Sequence, residues 1–160
     1  MGKIKVLLVD DHTIMRDGIR ALFKVNDDID IVGEACNGEE ALQKAQELVP
    51  DVVVMDIAMP GIDGLEATRE IRNQNSQMKI LILTQYNTKG YEVVAFQAGA
   101  SGYLPKRALG KDLLSAIRIV HRGELYLYSP TAPALVDDYP HNTQSAHILV
   151  RRKRHGLRDL

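Results

Sequence analysis

Polar and charged side chains follow the ends of short aliphatic runs in this sequence, and together they could bind a cation and transfer a phosphoryl group. Asp10 and Asp11 follow the run Ile4–Val9, Asp56 follows Val52–Met55, Thr84 follows Ile80–Leu83, and Lys106 comes shortly after Ser101–Leu104. Carboxylate oxygens favour Mg²⁺, which keeps several of its waters. A cation bound there leaves positions open for a phosphoryl oxygen, while a hydroxyl and an ammonium group can hold further oxygens. The set predicts a magnesium-dependent site of phosphoryl transfer.

Each of these residues alone also has an ordinary structural explanation. Asp11 could cap a helix that begins near Thr13, Lys106 could be a solvated surface residue, and Thr84 could be an ordinary strand residue. The joint pattern is harder to explain in structural terms, because neighbouring carboxylates repel one another unless a cation offsets their charge. The functional interpretation of the whole set is therefore favoured.

Alternating strands and helices are expected to bring these residues together. The aliphatic runs are typical of strands buried on both faces of a parallel sheet, with Ile29–Ala35 as an outer strand and Ser101–Leu104 as a weaker fifth strand. Between them the apolar residues recur with the period of amphipathic helices, and Pro50 is expected to end the second helix. A strand–helix unit repeated five times predicts an α/β fold with helices on both faces and a ligand site at the carboxyl ends of the strands.

The composition excludes several classes of function. A chain of 160 residues predicts one domain with a tail, and 45% apolar residues suffice for a core. The net charge of −1 indicates neither a nucleic-acid nor a membrane-surface protein. The single cysteine, Cys36, excludes an internal disulfide and fits a reducing compartment; after a strand, we expect it to be a small buried apolar group. Without a signal peptide or a membrane-spanning run, the protein is expected to be cytoplasmic, with no membrane partner.

In the residues around these strand ends the chain resembles a response-regulator receiver domain of two-component signalling. The stretches that carry the resemblance lie within residues 3–123 and are Val9–His12, Met55–Gly64, Leu83–Thr84 and Ala98–Lys106. The first and the last are most similar to the NarL/FixJ (LuxR-type) subfamily. The resemblance implies a flavodoxin-like, doubly wound, five-stranded parallel sheet with the strand order 2-1-3-4-5.

The resemblance also implies a role for each acidic residue. Asp56 would be the phosphorylation site, accepting the phosphoryl group from a phosphohistidine of a sensor histidine kinase or from a small-molecule phosphodonor. Asp11 would bind Mg²⁺ directly and Asp10 mainly through water. Asp56 and the backbone carbonyl of Ala58 would complete the protein ligands.

The remaining site residues would sense the phosphoryl group. Thr84 and Lys106 would hold its oxygens, and Tyr103 would be a switch that turns inward as Thr84 is drawn towards the phosphate. The alternative for Tyr103 is a half-buried packing residue. The bulk of Gln85, where many relatives have a small residue, could slow phosphodonor entry or phosphate loss. The protein would be a switch with self-catalysed phosphotransfer and autodephosphorylation, and not otherwise an enzyme.

Residues 124–160 are expected to be a linker and a short basic tail after a receiver domain of residues 1–123. Prolines break the helical pattern, and one helix is expected around Ala146–Arg154. The basic cluster Arg151–Arg154 is more typical of a solvated surface than of a phosphate-binding segment. NarL/FixJ-type regulators usually continue into a helix-turn-helix domain on the order of 60 residues. No such effector domain is recognisable here, so a truncated or frame-shifted product, an artificial extension and a single-domain regulator all remain open.

Two classes of function therefore remain. The first is a phospho-accepting switch that acts on protein partners, with a homodimer as one form, through either the helix 4–strand 5–helix 5 face or the helix 1–helix 5 face. The second is a transcription regulator that reaches DNA through a remnant tail or a heterodimer. A metal-dependent phosphatase of similar topology is disfavoured, because the position two residues after Asp56 is Ala58 and not a second acid.

Overall fold

Strands and helices alternate along the chain in the computed structural model, which describes residues 2–85, 90–108, 110–128 and 147–150. The strands are β1 Ile4–Val9, β2 Ile29–Ala35, β3 Val52–Asp56, β4 Lys79–Thr84, β5 Gly102–Pro105, β6 Leu125–Tyr128 and β7 His147–Val150. The helices are α1 Thr13–Lys24, α2 Gly38–Leu48, α3 Gly64–Gln74, α4 Tyr91–Gln97 and α5 Lys111–His121, and a short 3₁₀ turn covers Lys106–Ala108. The five predicted strand–helix units are all present.

The strands form one sheet with the order β2-β1-β3-β4-β5-β6-β7. The order of the first five strands and their parallel pairing confirm the flavodoxin-like prediction, with β2 as the outer strand. The predicted number of five strands is wrong: β6 adds in parallel to β5, and β7 adds antiparallel to β6. The extra strands were missed because their pairing depends on the free edge of β5, which no local pattern reveals.

The C-terminal segment differs from the prediction in one described part. The prediction of a helix around Ala146–Arg154 is wrong for His147–Val150. These residues form a strand, because their backbone pairs with β6. The sheet thus continues beyond residue 123, and we propose that the folded unit includes β6. The basic cluster Arg151–Arg154 and the prolines of the expected linker lie outside the described residues.

Two apolar layers sandwich the sheet, because successive residues of each strand point to opposite faces. On one face Leu7 and Val9 of β1 pack with α2, α3 and α4, and on the other Val6 and Leu8 pack with α1 and α5. Both faces are therefore covered, which explains the nearly continuous aliphatic runs. Within the described part of the chain, no helix is long and apolar enough to cross a membrane.

Short polar side chains cap α2 and α3, whereas α1, α4 and α5 begin without a side-chain capping bond. Asn37 accepts a hydrogen bond from the backbone N–H of Glu40 at 2.8 Å at the start of α2, and Asp63 caps α3 in the same way. The residue that precedes α1 is His12, and it makes no side-chain capping bond. Asp11 is therefore not the cap of α1, and the structural explanation considered for it is wrong.

Cys36 also differs from its prediction. It follows β2 and is exposed, not buried, and its thiol is free. The pairing of β1 with β2 ends at Val9 and Ala35, so Cys36 falls in the turn that leads to α2. There its backbone N–H donates to Oε1 of Glu40 at 2.7 Å.

Candidate functional site

The register of the parallel strands brings the predicted site residues to one edge of the sheet. Val9 of β1 lies beside Met55 of β3, so Asp10 and Asp56 follow side by side. Thr84 is the last residue of β4 and pairs with Pro105 of β5, which Lys106 follows directly. In-register strand ends thus turn residues that are distant in sequence into neighbours.

Lys106 lies between two buried carboxylates. Its Nζ is 3.1 Å from Oδ2 of Asp56 and 3.1 Å from Oδ2 of Asp10. The side chains of Asp10 and Asp56 are 0% and 1% exposed, and that of Lys106 is 8% exposed. One ammonium group therefore compensates two carboxylates, which leaves a net negative charge in a buried place.

The pKa values of Asp56 and Lys106 reflect this excess of negative over positive charge. Burial raises the pKa of Asp56, the Lys106 ammonium opposes that rise, and the charge of Asp10 adds to it. Burial acts to lower the pKa of Lys106, but the charges of Asp56 and Asp10 outweigh it and the pKa is raised. Lys106 is thus held as a cation beside Asp56, where a phosphoryl group would add further negative charge.

Asp11 and His12 complete the acidic cluster on its exposed side. The Asp11 side chain is 29% exposed, and Nδ1 of His12 lies 3.1 Å from its Oδ1 and 3.0 Å from Oδ1 of Asp10. His12 lies within the motif Val9–His12, and the sequence alone indicates no role for its side chain. The available signal was its position two residues after Asp10, whose Oδ1 accepts the His12 backbone N–H at 2.8 Å.

The oxygen atoms of this cluster fit a hard divalent cation. Ligand atoms of Asp10, Asp11, His12 and Asp56 all lie within 4.8 Å of one another. Oδ2 of Asp10 is buried and, although close to Lys106, lies outside hydrogen-bond geometry. Three carboxylates with one buried, poorly satisfied oxygen match the donors that Mg²⁺ prefers. The backbone N–H of Ala58 donates to Oδ1 of Asp56 at 3.2 Å. That the backbone carbonyl of Ala58 binds the cation stays a prediction.

Thr84 and Tyr103 lie next to each other beneath this edge, and both are fully buried. Tyr103 pairs with Ile82 of β4 and packs in the apolar layer of α2, α3 and α4, which shows an inward side chain. Burial raises the pKa of Tyr103 to about 12, and the Thr84 side chain acts in the opposite direction. Tyr103 is therefore fully buried and not half-buried, as the alternative interpretation expected. Its role as a switch stays a prediction. Gln85 is exposed at the end of β4.

The chain belongs to the response regulator receiver family, whose receiver domain it matches over residues 6–118. It is 44% identical over 144 residues to response regulator UvrY of Escherichia coli (strain K12). The aligned residues cover 89% of this chain and 66% of UvrY. It is also 43% identical over 132 residues to response regulator GacA of Pseudomonas syringae pv. syringae (strain B728a). Here the aligned residues cover 82% of this chain and 62% of GacA. The chain thus spans less than two thirds of the length of these curated relatives.

Solved structures agree with this assignment. A two-component response regulator of the LuxR family from Aurantimonas sp. SI85-9A1 superposes with a TM-score of 0.78 at 36% identity, covering 86% of this chain and 97% of that one. The receiver domain of a response regulator NarL from Mycobacterium tuberculosis gives a TM-score of 0.74 at 28% identity. This superposition covers 77% of this chain and 99% of the NarL receiver. The predicted resemblance to a NarL/FixJ-type receiver is confirmed.

Proposed function

We propose that this chain accepts a phosphoryl group on Asp56 from a sensor histidine kinase or a small-molecule phosphodonor and thereby switches its conformation. The observation that carries the proposal is the placement of the Asp56 carboxylate, 3.1 Å from the Lys106 ammonium and within the acidic cluster of Asp10 and Asp11. A nucleophile, a compensating cation and a set of metal-binding oxygens at one sheet edge are the parts that phosphoryl transfer needs.

The transfer step follows from these groups. A carboxylate oxygen of Asp56 attacks phosphorus, an O–P bond forms, and the N–P bond of the phosphohistidine breaks. The electron pair of that bond returns to the imidazole nitrogen of the donor. Lys106 and the Thr84 hydroxyl then hold oxygens of the transferred group, and water later releases inorganic phosphate from Asp56.

Mg²⁺ is the cofactor that the donor atoms fit. Asp10, Asp11 and Asp56 would hold it, with the carbonyl of Ala58 as a further ligand, and when bound it would neutralise charge that develops on the phosphoryl oxygens. The chain's own residues do the positioning, because Lys106 anchors both Asp10 and Asp56 before any donor arrives.

The response to phosphorylation would pass through Thr84 and Tyr103. Both are buried, Thr84 as the last residue of β4 and Tyr103 as the second residue of β5. Drawing Thr84 towards the phosphoryl group would therefore remove a neighbour of the Tyr103 phenol. Phosphorylation adds charge and acceptor oxygens at one point, and this pair is the element that it biases. We propose a cytoplasmic location for this switch, in keeping with the free, exposed thiol of Cys36.

Intact-mass measurement with acetyl phosphate and Mg²⁺ tests the phosphorylation site. We expect one phosphoryl adduct on the wild type, lost with EDTA and absent from Asp56→Ala. Asp51→Ala is the matched control, because Asp51 lies at the opposite end of β3 and accepts the backbone N–H of Lys5 at 2.8 Å. If all three proteins carry the same adduct, or none does even with a histidine kinase as donor, Asp56 is not the acceptor.

Self-association is one partner interaction for which the described surface offers an apolar face. Tyr91, Val93 and Val94 of α4 are 38%, 46% and 36% exposed, which forms an apolar strip beside β5. We propose that two phosphorylated copies pair through this face. Val93→Lys should abolish concentration-dependent dimerisation in sedimentation experiments, whereas Val25→Lys, at a residue 79% exposed after α1, should not. Equal dimerisation of both variants contradicts the proposed face.

Transcription control is the second candidate function, and the names of relatives favour it. One relative, 39% identical over 145 residues, is the transcriptional regulatory protein LiaR of Bacillus subtilis (strain 168). A sequence-specific electrophoretic shift that persists at physiological salt supports DNA binding by this chain or by its heterodimer with a longer relative. A shift that disappears with added salt on every DNA sequence leaves the protein-partner switch as the function.

A further inference from the structure

A basic residue outside the predicted site contacts the backbone of the acidic turn. Arg16 lies one turn into α1, its side chain is 17% exposed, and its Nη1 donates to the backbone carbonyl of Asp10. Its Nε donates at 3.2 Å to Oε1 of Glu34 on β2. One guanidinium group thus joins the carboxyl end of β1 to the edge strand of the sheet.

We propose that Arg16 is a positioning residue that holds the turn Asp10–His12 in the geometry required for cation binding, with Glu34 as its anchor. The inference rests on the proposed function, because it concerns the same magnesium site. Arg16 touches neither the donor nor the reacting atoms, and it acts through the backbone of Asp10.

Several groups hold the turn, and Arg16 is one of them. The backbone N–H of Asp10 donates to the carbonyl of Ala35 on β2 at 3.0 Å. Oδ1 of Asp10 accepts the backbone N–H of His12 at 2.8 Å, which closes the turn locally. The carbonyl of Asp10 is then oriented by Arg16. The position of Asp11, the most exposed carboxylate of the cluster, depends on the turn in which it sits.

A rigid turn matters because the bare cluster repels itself. Asp10, Asp11 and Asp56 bring ligand oxygens within 4.8 Å, and mutual repulsion would open the turn in the absence of a cation. Arg16 opposes this opening in two ways: it bonds the Asp10 carbonyl, and it places a positive charge next to the cluster. Groups that orient metal ligands in this way commonly contribute about 10- to 100-fold to metal affinity.

Glu34 is well suited to anchor the guanidinium group. Its carboxylate accepts from Arg20 at 2.8 and 2.9 Å as well as from Arg16, and its backbone carbonyl accepts Lys44 Nζ at 2.6 Å. The hydrogen bonds from Arg20 lower the pKa of Glu34 against the effect of burial, and the charges of both arginines add to that. The anchor therefore stays ionised at neutral pH.

Arg20 offers a matched control for the experiment. Arg16→Gln and Arg20→Gln each remove one positive charge and one partner of Glu34, but only Arg16 contacts Asp10. In the magnesium-free proteins, we expect Arg16→Gln to shift the NMR amide resonances of residues 10–12, whereas Arg20→Gln leaves them at their wild-type positions. Both variants should lose similar stability in urea, which excludes a general folding defect as the cause.

The magnesium titration gives the second readout. We expect the Mg²⁺ dissociation constant of Arg16→Gln to rise about tenfold, while that of Arg20→Gln matches the wild type. Arg16→Lys restores the charge, but an ammonium group does not reproduce the planar guanidinium that donates to both Asp10 and Glu34. This variant should therefore regain only part of the affinity. Loss of the positive charge alone would strengthen Mg²⁺ binding, because the guanidinium group and the cation repel each other. Full rescue by lysine, or equal effects of Arg16→Gln and Arg20→Gln, overturns the positioning role of the guanidinium group. A wild type that binds no Mg²⁺ overturns the proposed function, and this inference with it.

Discussion

Gly64 at the start of α3 offers a sharp test of how the fold shapes the site. Its backbone packs against the end of β3, and its N–H donates to the carbonyl of Ile57 at 3.0 Å. A Cβ atom at this position would lie 2.3 Å from the carbonyl oxygen of Asp56 and 2.8 Å from Cα of Ile57. Both obstacles are backbone atoms of the segment that carries the proposed phosphorylation site.

The cost of Gly64→Ala follows from these distances. Ordinary contacts of a Cβ begin near 3.4 Å, so α3 and the Asp56 segment must separate by about 1 Å. Overpacking of this kind costs about 1–3 kcal/mol, of which the better helix propensity of alanine offsets at most about 1 kcal/mol. We expect the free energy of unfolding to fall by about 2 kcal/mol. A shift of about 1 Å at a reacting group can lower the phosphorylation rate by about 100-fold.

Urea unfolding followed by circular dichroism measures the first effect, and the rate of adduct formation with acetyl phosphate measures the second. Gly18→Ala is the control, because Gly18 lies within α1 and a Cβ there meets nothing within 4 Å. This variant should be more stable than the wild type by about 0.5–1 kcal/mol and should be phosphorylated at the wild-type rate. If Gly64→Ala is as stable and as reactive as the wild type, the packing of α3 does not hold Asp56 in place and the reasoning fails.

Three further predictions concern the charges of the site. Burial raises the pKa of Asp56, so its ionised form costs stability; Asp56→Asn should increase the free energy of unfolding at pH 7 by on the order of 1 kcal/mol, and urea titrations should show this gain vanish below the ordinary aspartate pKa. Lys106→Met leaves the Asp10 and Asp56 carboxylates uncompensated and should lower stability at pH 7 by about 3 kcal/mol; a loss that does not shrink in acid would argue against charge as the cause. The lowered pKa of Glu34 stabilises the fold above the ordinary glutamate pKa, so Glu34→Gln should cost about 1 kcal/mol in thermal unfolding at pH 7, and wild type and variant should converge as the pH falls through the lowered pKa.

The strand ends show how far local pattern carries the prediction of a site. The run Ile4–Val9 is a strand with those bounds, and the acidic residues that follow the strands do meet at one edge. Hydrophobic period is a property of neighbouring residues, and parallel topology has few solutions, so element type and the shared edge follow from sequence. The proximity of Asp10, Asp56 and Lys106 was predictable for this reason.

Contacts between side chains of different elements carried no such signal. The bridge from Arg16 to Glu34 joins residues 18 positions apart, and nothing in the period of α1 marks Arg16 as different from Arg20. The exposure of Cys36 and the position of His12 beside Asp10 likewise depend on where pairing with the neighbouring strand ends.

The sequence by itself therefore determined the fold class, and through the family resemblance of its motifs it also implied the order of the first five strands. It further indicated that Asp10, Asp56 and Lys106 meet at one edge of the sheet. The tertiary structure alone decided that Lys106 bridges two carboxylates at equal distance, that Tyr103 lies fully inward and that β6 and β7 extend the sheet. The physical reason is the range of the interactions. Strand and helix patterns arise from burial along a few consecutive residues, whereas ion pairs, edge pairing and burial of one side chain depend on atoms that only the packed chain brings within a few ångströms.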